Sequence, residues 1–210
     1  MQTGATAAMR PRSETRQIFV GPVAVGGGAP VSVQTMTNAD PHDAQALLRQ
    51  INEAADLGCD IIRLTVPDAE SAAVFRQVRA SSPLPLVADI HFDYRLALAA
   101  LEAGADGLRI NPGNIGGPER VRAVVAAARG RRVPIRIGVN GGSLEADILA
   151  KHGSATAEAL VESALRHVAL LEAEEYREIK ISVKASDVPR TLAAYRLLSA
   201  RTVYPLHLGV

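Results

Sequence analysis

Leu57-Gly58-Cys59-Asp60 leads into Ile61-Ile62-Arg63-Leu64-Thr65, and Ala103-Gly104-Ala105-Asp106 leads into Gly107-Leu108-Arg109-Ile110-Asn111. Each reads as a helix closed by glycine and followed at once by a short strand, because glycine takes the left-handed conformation that ends a helix. Outward from these two stretches the same alternation covers the chain. Strand-like runs fall at 31–36, 61–65, 85–91, 107–111, 133–140, 179–184 and 205–210. Helical spacing occupies 43–57, 69–80, 94–103, 119–129, 157–172 and 189–199. Strand and helix alternating this regularly build right-handed βαβ units on a parallel sheet. A doubly wound nucleotide-binding sheet should carry a glycine fingerprint after its first strand, but here the chain reads Gln34-Thr35-Met36-Thr37-Asn38. The expected fold is α/β, a TIM-type (β/α)8 barrel. A whole barrel takes about 250 residues, so about seven strands, an incomplete barrel and a fragment of a longer protein are expected.

Before the first barrel strand, Ile18-Phe19-Val20 and Val23-Ala24-Val25 flank Gly21-Pro22 and predict a short hairpin. Gly26-Gly27-Gly28 follows without a Lys-Ser/Thr pair or a helix start, so it reads as a turn and not a phosphate loop. Residues 1–16 have no period and are expected to form a flexible tail, with a transit peptide as the alternative. Residues 17–210 form the barrel domain.

Composition narrows the function classes. The 210 residues are 48% hydrophobic and 3% aromatic, with 23 basic against 22 acidic side chains. Such a balance, with no Trp, speaks against a nucleic-acid partner. No apolar run or secretory leader points to a membrane, so a cytoplasmic protein is expected. A single cysteine, Cys59, excludes a disulfide framework and reads as a small buried residue.

Side chains alternate across a strand, so parity separates the two faces. One parity is apolar throughout: Ile62 and Leu64; Leu86, Ala88 and Ile90; Leu108 and Ile110; Ile135 and Ile137; Ile179, Ile181 and Val183. The other carries Arg63 and Thr65, Asp89 and His91, Arg109 and Asn111, Arg136 and Asn140, Lys180, Ser182 and Lys184, and His207. Barrel interiors are ordinarily Val, Ile and Leu. A buried charge without a partner costs several kcal/mol, so Arg63, Arg109, Arg136, Lys180 and Lys184 with only Asp89 to offset them imply a multiply charged anion. Arginine forks suit phosphate, and several together suggest a diphosphate.

The loops fit that ligand. Asn111-Pro112-Gly113-Asn114-Ile115-Gly116-Gly117 and Gly138-Val139-Asn140-Gly141-Gly142-Ser143 could bring backbone N–H groups to an anion, or serve as plain turns with Ser143 as an N-cap. Asp89 and His91 share one face and could orient a ligand hydroxyl or pass a proton. No His-x-x-x-His or cysteine cluster predicts a metal site.

Six stretches carry a resemblance: those containing Asp60-Ile61-Ile62-Arg63-Leu64-Thr65, Val87-Ala88-Asp89-Ile90-His91, Leu108-Arg109-Ile110-Asn111, Ile135-Arg136-Ile137-Gly138-Val139-Asn140, Ser182-Val183-Lys184-Ala185-Ser186-Asp187 and Pro205-Leu206-His207-Leu208-Gly209. From Gln17 onward the chain resembles the bacterial 4-hydroxy-3-methylbut-2-enyl diphosphate synthase family of the methylerythritol phosphate route. The resemblance implies reductive ring opening of 2-C-methyl-erythritol 2,4-cyclodiphosphate with loss of water. It implies Arg63, Arg109, Arg136 and Lys184 as diphosphate ligands, with Asn111, Asn140 and His207 at the substrate and Asp89 and His91 as catalytic candidates. It further implies a 4Fe–4S cluster on a C-terminal domain this chain lacks, electrons from flavodoxin or ferredoxin, and a homodimer in the longer protein. The cluster has no ligands in this chain, which alone is expected to be inactive. Two other readings stay open: a Schiff-base aldolase using Lys184, and a non-catalytic phosphate-binding barrel.

Overall fold

The computed structural model describes residues 8–111 and 116–209. Strands β3 (Gln34–Met36), β4 (Ile61–Thr65), β5 (Leu86–Asp89), β6 (Gly107–Ile110), β7 (Ile135–Asn140) and β8 (Ile179–Lys184) form one parallel sheet in sequence order. Helices α1 (Ala44–Asp56), α2 (Ala69–Ser81), α3 (Tyr94–Glu102), α4 (Pro118–Arg129), α5 (Ala146–His152) and α6 (Ala157–Ala173) make the crossovers, and α7 (Val188–Arg201) follows β8. Helix starts are set by short polar side chains: Asp43, Asp68, Asp93, Thr156 and Asp187 each accept a hydrogen bond from a first-turn backbone N–H. Gly58 (φ 84°) and Gly104 (φ 98°) occupy the left-handed region just past α1 and α3, as the opening stretches predict.

The apolar parity of the strands packs under the helices in one core that includes Leu64, Ile90, Ile110, Ile137 and Val183. The opposite parity faces a lumen. Lys180 on β8 reaches Gln34 on β3, Nζ to Oε1 at 3.3 Å, so the first and last strands meet across it and the sheet is curled. A hairpin of β1 (Ile18–Val20) and β2 (Val23–Val25) pairs antiparallel and closes the N-terminal end, where Val20 packs on Ile61 and Val87.

Three features differ from the sequence expectation. The run expected at 205–210 makes only one parallel bridge, Ile181 to Leu206. Ile181 N–H donates to Pro205 and His207 N–H to Ile181, but Pro205 has no N–H to extend the ladder. The sheet therefore has six strands and a bridge in the place of the seventh. Strand β3 is shorter than 31–36 because Asp60 captures its start: Val33 N–H donates to Asp60 Oδ2 at 2.7 Å. Helix α5, ended by Gly153 at φ 73°, was not expected, being only 7 residues long.

Of the expected tail, residues 1–7 lie outside the described residues. From Arg10 onward the segment is fixed: Arg10 N–H donates to Ser199, its Nε to Thr202, and Arg12 Nη2 to Ala29, around a 3-10 turn at Arg12–Glu14.

Candidate functional site

Strand register lays one row of charges across the lumen. Asp89 is paired with Arg109, Arg109 with Arg136, and Arg136 with Lys180, each on the neighbouring strand. Like charges directly opposite one another destabilise a sheet, and this row holds two such pairs. Asp89 is the one carboxylate in it and is shared: Arg109 Nη1 donates to its Oδ1 at 3.0 Å, while Arg63 Nε and His91 Nε2 each lie 3.5 Å from Oδ2. Among the described residues, Arg136 has only the Ser182 hydroxyl, at 3.0 Å, and Lys180 only Gln34. Arg63 Nε, Arg109 Nε, Arg136 Nε and Arg136 Nη2 are buried without a hydrogen-bond partner among the described residues. Orphaned donors of this kind each cost on the order of 1–3 kcal/mol, and they suit an anion with several oxygens.

Those side chains surround a cavity of about 380 Å³ at the C-terminal end of the strands. Its walls include Arg63, Asp89, His91, Arg109, Arg136, Asn140, Lys184 and His207, so eight of the nine candidate catalytic and substrate residues converge. The ninth, Asn111, is buried at the end of β6 and is not among the lining residues. The glycine-containing loop after it falls at 112–115, outside the described residues. Lys180 sits deeper, 2% exposed, against a neighbouring cavity shared with His207 and Gln34. Ser143 is not a helix cap; its hydroxyl donates to Asn140 O at 3.4 Å, and Glu145 takes the N-cap position of α5.

Electrostatics follow from burial first and mutual repulsion second. Burial, then Arg63 and Arg109, pushes Arg136 down to about 9. Lys180 is lowered to about 7 by burial, with Arg136 and Arg63 adding to it. His207 falls to about 3 through burial, Arg136, Lys180 and Arg63. Arg63 is also lowered by burial, against the pull of Asp89. In each case the charged form is penalised until something negative arrives.

Met36, Tyr195 and Gly138 are among the wall residues that sequence reasoning did not single out as site residues. Met36 places its sulfur 2.8 Å from Arg63 Nη2. Tyr195, on α7, accepts from Val183 N–H at 3.2 Å and donates to the carbonyl of His207. Nothing in sequence marks it, since a buried helix aromatic reads as core. Gly138 was readable: a glycine inside a strand often signals close approach of another group.

Among the described residues no group of three or more His, Cys, Asp or Glu is placed to hold a metal ion. Cys59 is half-buried before β4, with Sγ 3.0 Å from Ile61 O, at the opposite end from the cavity. A cluster requiring several thiolates does not fit this chain, whose sequence has one cysteine. No helix among the described residues is long and apolar enough to cross a membrane.

A curled parallel sheet with guanidinium groups gathered at its C-terminal end defines a protein of the α/β-barrel class. The chain belongs to the GcpE TIM-barrel domain family, whose model matches residues 15–210. A relative from Geobacter sulfurreducens, named 4-hydroxy-3-methylbut-2-en-1-yl diphosphate synthase (flavodoxin), is 60% identical over 199 residues, covering 95% of this chain and 56% of that protein. One of the same name from Azotobacter vinelandii is 57% identical, with 95% and 54% covered. The chain thus spans about half the length of the curated relatives it matches. Among solved structures, a phospho-2-dehydro-3-deoxyheptonate aldolase from Thermotoga maritima superposes with TM-score 0.67 at 12% identity, over 92% of this chain and 54% of that one. Yersinia pestis DHPS gives 0.62 at 11%, over 91% and 76%. These two share the fold alone.

Proposed function

We propose that this chain is the substrate-binding barrel of a 4-hydroxy-3-methylbut-2-enyl diphosphate synthase, and that its cavity binds 2-C-methyl-erythritol 2,4-cyclodiphosphate through the diphosphate. The longer enzyme opens the ring reductively, with two electrons and loss of water. The observation that carries this reading is the row Arg109–Arg136–Lys180, in register and short of anions, beside Arg63 in the same lumen. Likeness to the named relatives supports the choice among polyanions.

In this reading Arg63, Arg109 and Arg136 take phosphoryl oxygens and the exposed Lys184 closes over them from the rim. Asp89 holds Arg63 and Arg109 in place before the ligand arrives. His91, half-exposed at the mouth, is the group free to orient a hydroxyl or carry a proton. Asn140 and His207 complete the polar wall, with Asn111 behind it. The 4Fe–4S cluster, flavodoxin as electron donor, a homodimer and a cytoplasmic location belong to the longer protein. An imine at Lys184 is less well supported, because that side chain is exposed at the rim rather than buried.

Titration calorimetry with the cyclodiphosphate tests the proposal. Arg109→Ala should weaken binding by about 1–3 kcal/mol, the scale of a hydrogen bond to a charged group. Unchanged affinity would remove the diphosphate reading.

A further inference from the structure

Gly138 lies inside β7, faces the lumen and lines the cavity. Its φ is not positive, so the backbone there accepts any residue. A glycine within a strand sacrifices packing and chain entropy, and the reason for it is space. A Cβ built on Gly138 would stand 2.8 Å from Arg109 Nε, 3.2 Å from Nη2 and 3.4 Å from Cζ. The Nε–Nη2 edge of the Arg109 guanidinium therefore lies against the bare backbone of β7. Its other side is held by Asp89, 3.0 Å away on β5. The side chain is only 14% exposed, and its Nε is buried without a partner. A methyl group at position 138 obliges the guanidinium, the end of a flexible side chain, to leave this orientation.

We propose that Gly138 is a positioning residue, the missing side chain forming the slot that fixes the Arg109 guanidinium for its anion. This rests on the reading of the cavity as a diphosphate site. Glycine here acts through Arg109 and touches no ligand itself. The role is one of orientation, where displacement of a charged donor by an ångström loses most of its bond.

Calorimetric titration of the parent chain and four variants with inorganic pyrophosphate tests it. Gly138→Ala should lower affinity about tenfold, as losing a charge-assisted hydrogen bond does. In an Arg109→Ala background the same change should cost nothing further. Gly130→Ala, where the added carbon meets nothing within 4 Å, should bind as the parent does. Parental affinity in Gly138→Ala overturns the inference, and so does an equal loss with and without Arg109. If Arg109→Ala itself binds like the parent, the diphosphate reading falls and takes the slot with it. Should Gly138→Ala fail to fold, the double variant with Arg109→Ala should regain a cooperative melt; a double variant equally unfolded also overturns the slot.

Discussion

Two successive layers of the same lumen, two residues apart on each strand and so roughly 7 Å in height, are built on opposite principles. The lower one is Ile61 and Val87 with Val20 of the hairpin set on them, all 1% exposed or less. Gly107 lets them close up: a Cβ there would meet Val87 Cγ2 at 3.2 Å. The upper layer is Arg63, Asp89, Arg109, Arg136 and Lys180, with three of these five more than nine-tenths buried. Each apolar side chain below contributes about 1.5–3 kcal/mol by leaving water. The layer above costs stability, because its cations are buried with one carboxylate among them. The floor is where the chain gains stability; the ceiling is where the proposed diphosphate would bind.

Removing part of the floor should give the largest effect and leave the ceiling's chemistry alone. Ile61→Ala deletes a side chain 1% exposed, between Val20 and Val87. A loss of about 2–5 kcal/mol in unfolding free energy is expected from such a truncation, read by urea denaturation. Affinity for pyrophosphate, measured below the transition, should stay within twofold. A loss of binding that tracked the loss of stability would mean that the two layers are one unit, and the contrast between them would fail.

In the ceiling the sign should reverse. Lys180→Met replaces a buried cation, held among the described residues only by Gln34, with an apolar side chain of similar length. Such replacements of buried charge stabilise by about 1–4 kcal/mol, here at neutral pH and below. The folded pKa of Lys180 is about 7 against an ordinary 10.5, so between those values the unfolded chain binds more protons. Stability therefore rises with pH from 7 to 10.5, and Lys180→Met should flatten that limb of a pH–Tm profile. His207, about 3 when folded against 6.5, gives a separate loss of stability as pH falls from 6.5 to 3, which the Met variant should keep. A destabilised Lys180→Met would show that the amine is properly paired.

What sequence made legible and what it hid divides along the same line. Parity alone separated helix-facing Ile62, Leu64 and Ile110 from lumen-facing Arg63 and Arg109, because a two-residue period is a backbone property. It also put Arg63, Asp89, Arg109 and Arg136 around one cavity, since neighbouring parallel strands carry their inward residues to the same end. Height within the lumen was hidden. Lys180 and Lys184 share a parity, yet one is buried in the charge row and the other exposed at the rim, a matter of register between β7 and β8. Ends of elements were hidden as well: Asp60 cuts β3 short through a contact 27 residues distant in sequence. Buried polar networks on helices stayed out of sight altogether. Glu145, at the start of α5, receives the Ser163 hydroxyl at 2.7 Å and lies 3.1 Å from His167 Nε2, and no spacing announces that cluster.

Tyr195 belongs to this hidden class and gives the smallest and sharpest test of how the ceiling is held. Its hydroxyl sits where α7, the end of β8 and the segment carrying His207 meet, accepting from Val183 N–H and donating to the His207 carbonyl. Burial raises its pKa, so the phenol stays protonated and keeps both roles at neutral pH. Tyr195→Phe keeps the ring and its packing while deleting one oxygen. About 1 kcal/mol of stability should be lost, the net worth of an ordinary buried hydrogen bond. Hydrogen exchange at Val183 should quicken far more than at Ile179, deep in the same strand. If His207 is held in the wall by this tie, pyrophosphate affinity should drop by a factor of two to three, roughly half a kcal/mol. Faster exchange at Val183 with unchanged affinity would mean that the segment carrying His207 is placed by its bridge to Ile181, and that the phenol serves the fold alone.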